Sequence, residues 1–322
     1  MGNADQTQAN RYRTLSGKDK TFGQKFLREL KYHKYVYIMA IPVILFYGLF
    51  HYAPMYGAVI AFKDFVPARG ILGSPWAGFK HFRSFFKSIY FLRVLKNTIL
   101  INVYSLIFGF PMPIILALLL NELRNERFKK TVQTVSYLPH FISIMVVAGM
   151  LIDFLSRKGI ITDLIVLLGG QRDNMLMRPD LFKGIYVGSG IWQHVGWDSI
   201  IYLAALTGID PELYEAARID GASRWRQTWH ITLPGIAPTI IILLILRVGG
   251  MMSVGFEKII LLYNDATMET ADVISSFVYR KGLLEFSYSF SAAVGLFNSI
   301  INFILVITVN RISRQVSETS LW

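Results

Sequence analysis

Residues 215–238 read "EAARIDGASRWRQTWHITLPGIAP", a polar interruption between two apolar runs. Five charged side chains and His230 fall in its first sixteen positions, whereas residues 199–206 before it and 239–246 after it carry no charge. A chain that sinks its apolar runs in a bilayer must bring the segments between them out to water, because ionisable groups are costly in hydrocarbon unless paired or wetted. The stretch is therefore read as a loop at a membrane face, and its role depends on the spans that flank it.

Composition agrees with a membrane protein. Of 322 residues, 53% are hydrophobic and only 17% are charged, against about 25% charged in ordinary globular proteins. Mean hydropathy is +0.42. There is no Cys, which excludes disulfides, thiolate metal sites and a cysteine nucleophile. The net charge of +12 does not point to nucleic acid: the basic residues are scattered rather than gathered on one face, and membrane proteins carry excess Lys and Arg in cytoplasmic loops.

A bilayer core takes about 20 apolar residues in a helix. Six stretches qualify: Tyr35 to about Met55, Thr98–Leu120, Val135–Leu155, Gly184 to about Leu206, Thr239 to about Val254, and Ala292–Asn310. The expected fold is all-α and polytopic, with six transmembrane helices over residues 35–310. Pro42, Pro111, Pro113 and Pro139 fall in or near spans, where they kink helices that neighbours support. Residues 1–34 carry eight Lys or Arg and no apolar core, so they are no signal peptide. They read as a cytoplasmic segment with an amphipathic interfacial helix in "FGQKFLRELKYHKY". Six spans then place residues 311–322 in the cytoplasm as a tail. The Lys/Arg totals, 17 inside and 15 outside, give little bias, so the N-terminal cluster carries the orientation.

On this topology residues 210–236 face the cytoplasm, and their local signals are specific. Asp210 is an N-cap, Pro211 suits the first helical position, and Glu212 suits the positive helix end. The helix "ELYEAARID" should stop at Gly221 in a left-handed cap. Ser223 should cap a second short helix, "RWRQTWHITL", ending at Pro234. Glu215-Ala216-Ala217, three residues, Gly221, nine residues, then Ile231-x-Leu233-Pro234 resembles the EAA loop of ABC importer permeases at every fixed position and both spacings. "AFKDF", "GSPWAGFKHF", "LALLLNELRNERFKKTVQTVSYLPHFIS", "GFEKIILLYN" and "AAVGLFNSIINF" are similar to the carbohydrate-importer branch, in particular its lipoprotein- or polysaccharide-type permeases. The likeness covers roughly residues 30–315 and extends to the permeases of an alginate importer.

The resemblance implies a type I ABC importer permease fold in a bacterial inner membrane. It implies a second permease, usually a different chain, two cytoplasmic ATPase subunits that bind ATP and Mg, and an extracytoplasmic solute-binding protein. Glu215, Ala216, Ala217, Gly221, Ile231, Leu233 and Pro234 would then form the coupling site, with Glu215 pairing to a basic residue of the ATPase. This chain has no G-x-x-x-x-G-K-[ST], HExxH or GxSxG, and no catalytic or metal-binding constellation is legible in it. A transport subunit is expected, not an enzyme.

Candidate pathway residues are Trp192, Gln193, Trp197, Asp198, Arg247 and Asn298. Gln193 and Trp197 share one helical stripe, and His194 and Asp198 the next. Rings beside amides or carboxylates suit sugars. Asp198 with Arg247 reads more readily as an ion pair joining two helices than as part of a site. External loops carry six more positive than negative charges, which favours an acidic oligosaccharide such as alginate. An ion-gradient-driven secondary transporter, with Asp198, Arg247 and His194 as a proton relay, is the alternative.

Overall fold

The computed structural model describes residues 32–317. The expected N-terminal interfacial helix therefore falls almost wholly outside the described residues, as do residues 318–322. The chain divides into two compact units, Met1–Ala58 and Val59–Trp322. Among the described residues there is no strand, and one isolated antiparallel bridge joins Lys63 to Trp76.

In the first unit, α1 (Lys34–Tyr47) carries Pro42 within it and runs into a π turn at Gly48–Tyr52. The second unit is built mainly of α2 (Phe91–Tyr104), α3 (Pro111–Glu122), α4 (Glu126–Tyr137), α5 (Ile144–Leu155), α6 (Phe182–Leu206), α7 (Pro211–Ile219), α8 (Leu233–Gly249), α9 (Phe256–Leu262) and α10 (Tyr288–Ser317). The helix α10 runs through residues 311–317, which the sequence assigned to the tail.

Four helical runs among the described residues are long and apolar enough to cross a bilayer: Lys34–Phe62, Phe91–Glu122, Arg224–Gly249 and Tyr288–Gln315. A fifth candidate is bent by 100° between Glu126–Phe141 and Ile144–Leu167. Six apolar helices are therefore not reproduced. The expected third span, Val135–Leu155, is broken: Pro139 opens a 3-10 turn at Leu138–Phe141, and Ser143 starts α5 afresh by accepting from the Val146 N–H. The fourth, α6, has 25 residues, about 37 Å at 1.5 Å per residue. It is long enough to span but carries Gln193, His194 and Asp198 in its middle, which lowers its hydropathy.

The prolines shape the spans more than a simple kink would. Three π turns, Gly48–Tyr52, Ser105–Gly109 and Thr228–Thr232, each end two residues before a proline: Pro54, Pro111 and Pro234. Proline has no N–H, and its ring collides with the carbonyl four residues back. In each case that carbonyl, at Phe50, Ile107 or His230, lies in the π turn, where the widened backbone moves it aside. This corrects one expectation: the helix after Ser223 does not end at Pro234 but continues into the fifth span.

At one end, packing joins Ala117 of α3, Tyr202 and Leu206 of α6, and Ile236 of α8. At the other end Phe85, Val94, Met252, Ile274, Phe277 and Val294 form a second cluster. Beside it Asp272, 1% exposed, takes Arg280 at 2.7 Å and Arg93 at 3.6 Å. Asn97 of α2 donates to the carbonyls of Glu269 and Asp272. The long segment before α10 is thereby fixed to α2.

Candidate functional site

Two regions carry the candidate residues. The first is a cavity of about 790 Å³. Its walls come from α2 and α3 with their connecting π turn, from α6, from the end of α8, and from the start of α9. Polar groups facing it include Asn102, Gln193, His194, Asp198, Arg247, Ser253, Glu257 and Lys258.

Gln193 is 4% exposed, donates from Nε2 to the Ile142 carbonyl at 3.0 Å, and leaves Oε1 without a partner among the described residues. Asp198 and Arg247 both line the cavity, but no salt bridge joins them among the described residues. The helix–helix ion pair that the sequence allowed is therefore absent. Arg247 sits near the end of its helix. It lies in the last turn of α8, because the helix stops at Gly249 with Gly250 as its cap. A cation there is favoured by the negative end of the helix dipole.

Trp192 and Trp197 are partly exposed and are not among the cavity-lining residues. The ring of Trp197 stacks on His140 at 4.4 Å and meets Phe141 edge-on. The turn that breaks the third span thus covers one face of the Trp197 ring. His140 Nδ1 lies 3.2 Å from His194 Nδ1. Asn298 lies on α10 with its Oδ1 buried and unpartnered among the described residues, away from the cavity lining.

Two residues were missed. Asn302 accepts from the Met252 N–H and donates to Ser253 Oγ, both at 2.9 Å, and so clamps the turn after α8. Lys258 is 7% exposed, donates to the Tyr186 carbonyl at 3.1 Å and lies 4.8 Å from the centre of the Tyr186 ring. Burial pushes its ammonium down to about 8. The signal was present in "GFEKIILL", where a lone Lys interrupts an apolar run. It had been counted only as one more charge of an external loop.

The second region is the loop at residues 210–236. Asp210 accepts from the Glu212 N–H at 3.0 Å, with Pro211 at the first helical position of α7. Gly221 has φ +73°, Ala222 N–H reaches Ala217 O at 2.8 Å and Gly221 N–H reaches Arg218 O at 3.1 Å. These are the two bonds of a Schellman cap. Ser223 accepts from Arg226 N–H at 3.5 Å. Tyr214 bonds Thr232 at 3.0 Å, Gln227 donates to Ala222 O at 2.8 Å, and Arg224 pairs with Glu122 of α3 at 3.0 Å. The loop is thus braced to the adjoining ends of two spans. Glu215 and Ala216 are exposed, Ala217 half-buried, and Glu215 makes no ion pair among the described residues. Leu213 and Ile219 are exposed at 52% and 87%. Ile231 and Leu233 are half-buried, and Pro234 is exposed.

The positive φ at Gly221 gives a graded expectation. Gly221→Asn should cost less than Gly221→Val, because Asn tolerates the left-handed region and a β-branched residue does not. Coupled transport should fall several-fold further for Val. Equal activity of the two variants, measured as ATP-driven uptake, would show that the cap geometry does not matter.

The chain thus holds a polar cavity among its helices and a capped helix-turn-helix between two of its spans. The chain belongs to the family of binding-protein-dependent transport system inner membrane components, whose model matches residues 109–318. It is 44% identical over 300 residues to the polygalacturonan/rhamnogalacturonan transport system permease protein YteP of Bacillus subtilis, covering 93% of this chain and 94% of that one. It is 42% identical over 301 residues to protein LplB of the same organism, covering 93% and 95%. A bacterial ABC transporter involved in the import of the acidic polysaccharide alginate contains a chain with TM-score 0.85 and 44% identity, covering 91% of this chain and 99% of that one. The same likeness holds for that transporter in complex with an alginate pentasaccharide-bound periplasmic protein. The chain is therefore an ABC importer permease for sugar or polysaccharide, with the type I permease fold, and not an enzyme. This displaces the ion-gradient alternative.

Proposed function

We propose that this chain forms half of the pathway of an ATP-driven importer for an acidic oligosaccharide such as alginate, and that residues 210–236 dock on a cytoplasmic ATPase. The observation that carries the substrate reading is the cavity between α3, α6 and α8. Its wall holds Arg247 with no salt-bridge partner among the described residues and a buried, unpartnered amide oxygen on Gln193. An oligouronate presents carboxylates for the guanidinium and hydroxyls for the amide. The relatives' cargoes, polygalacturonan and alginate, support the same chemistry. The partners would be a second permease, two ATPase subunits that bind ATP and Mg, and an extracytoplasmic binding protein, in a bacterial inner membrane with both termini cytoplasmic.

The test reconstitutes the complex with its binding protein and measures ATPase stimulation by uronate and by neutral oligosaccharides of equal length. Uronates should stimulate more strongly. Stimulation by neutral oligomers alone overturns the acidic reading. Arg247→Gln should lower uronate stimulation about tenfold, the scale of one charge-assisted hydrogen bond. Unchanged stimulation removes Arg247 from the site but leaves the substrate class standing.

A further inference from the structure

We infer that Lys258 is a specificity-determining residue of the cavity, holding a carboxylate of the substrate at the end opened by α9. The inference rests on the acidic-oligosaccharide reading and goes beyond it by assigning a residue outside the spanning helices.

Four observations carry it. Lys258 lines the cavity and is 93% buried (7% exposed), an expensive place for an ammonium. Its Nζ has three N–H groups, and the structure gives it one acceptor, the Tyr186 carbonyl at 3.1 Å, together with the face of the Tyr186 ring. No carboxylate lies within salt-bridge distance of it among the described residues, although Asp198 and Glu257 line the same cavity. Finally, α6 presents Gly190 to it: a Cβ there would sit 3.8 Å from Nζ, so the space beside the ammonium is left unfilled. Gln193, whose buried Oε1 has no partner among the described residues, lines the same cavity.

A structural role alone would leave a desolvated cation with unmet donors. Buried charges are ordinarily paired, and the Tyr186 carbonyl and ring supply only part of the compensation. A carboxylate from the substrate supplies the rest with a charge-assisted hydrogen bond, while a neutral hydroxyl supplies a weaker one. Lys258 therefore distinguishes a uronate from the corresponding neutral sugar. Gln193 meets hydroxyls of either and does not discriminate.

The experiment uses the whole transporter in proteoliposomes with saturating binding protein. Uptake of an oligouronate is compared with uptake of the same oligomer after its carboxyl groups are reduced to primary alcohols. Lys258→Met should lower the ratio of uronate to reduced-oligomer uptake about tenfold, the size of one hydrogen bond to a charged group. A merely structural lysine would lower both uptakes together and leave the ratio unchanged, and that result overturns the inference. Lys258→Gln keeps a donor for the Tyr186 carbonyl and removes the charge. It is read in the same way if Lys258→Met fails to co-purify with its partners. Wild-type uptake of uronates with an unchanged ratio in both variants rejects Lys258 alone. Wild-type uptake of only the reduced oligomer rejects the acidic substrate and Lys258 together.

Discussion

Gly196→Ala should sharply reduce assembly, whereas Gly188→Ala on the same helix should be tolerated. A Cβ built on Gly196 collides with the backbone carbonyl of Ser136 on α4, while one on Gly188 meets no atom within 4 Å. A backbone atom cannot swing aside as a side-chain tip can, so α4 and α6 must part. Overpacking of this kind costs about 1–3 kcal/mol or more, and each 1.4 kcal/mol is about tenfold in an equilibrium. The contact is one of several that hold the bend of the third span against α6. Among the others are Gln193 Nε2 on the Ile142 carbonyl and the Trp197 ring on His140. Separation at Gly196 therefore loosens both. The measurement is the yield of monodisperse protein in detergent, with ATP-driven uptake beside it. Equal yields for the two alanine variants would mean that α4 and α6 do not cross at Ser136.

That crossing was not legible in the sequence, and the reason is general. Hydropathy reports how much apolar length a segment has, not the angle between one helical segment and the next. Residues 135–155 thus read as one span, although Pro139 and Ser143 stood in view as a break and a cap. The loop at 210–236 was legible because its signals are local. Asp210, Pro211, Gly221 and Ser223 act on backbone groups within a few residues of themselves, and each does in the structure what its chemistry predicts. Pro234 was misjudged because a π turn at 228–232 makes room for its ring, so that the helix continues. The end of α8 just after Arg247 is set by a turn that Asn302 clamps from another helix, which no local signal shows. Lys258 and Tyr186 are 72 residues apart, and only the fold brings them together.

The largest functional loss is expected from Glu215→Ala, with the protein still folded and inserted. Glu215 is exposed and makes no ion pair among the described residues, so its removal leaves no buried partner unsatisfied. Its neighbours face outward as well. Ile219, one turn on, is 87% exposed and Leu213 is 52% exposed, so the face around Glu215 offers apolar area for a partner to cover. Behind this face Tyr214 ties the helix to Thr232 at the start of the fifth span, and Arg224, just past the turn, pairs with Glu122 at the end of the second in an exposed contact. A push delivered to such a helix moves the spans, whereas a flexible loop would absorb it. In the proposed complex Glu215 meets a basic residue of the ATPase in a desolvated contact. Truncating one member of such a pair costs about 2–5 kcal/mol, so ATP-driven uptake should fall about 30-fold or more. Glu215→Asp should retain part of it. Two readings separate the possible causes: co-purification of the ATPase reports docking, and the ratio of uptake to ATP hydrolysis reports coupling. Loss of either supports the assignment. Normal docking together with normal uptake in Glu215→Ala would remove Glu215 from the coupling site and leave the exposed Ile219 and Leu213 without an explanation.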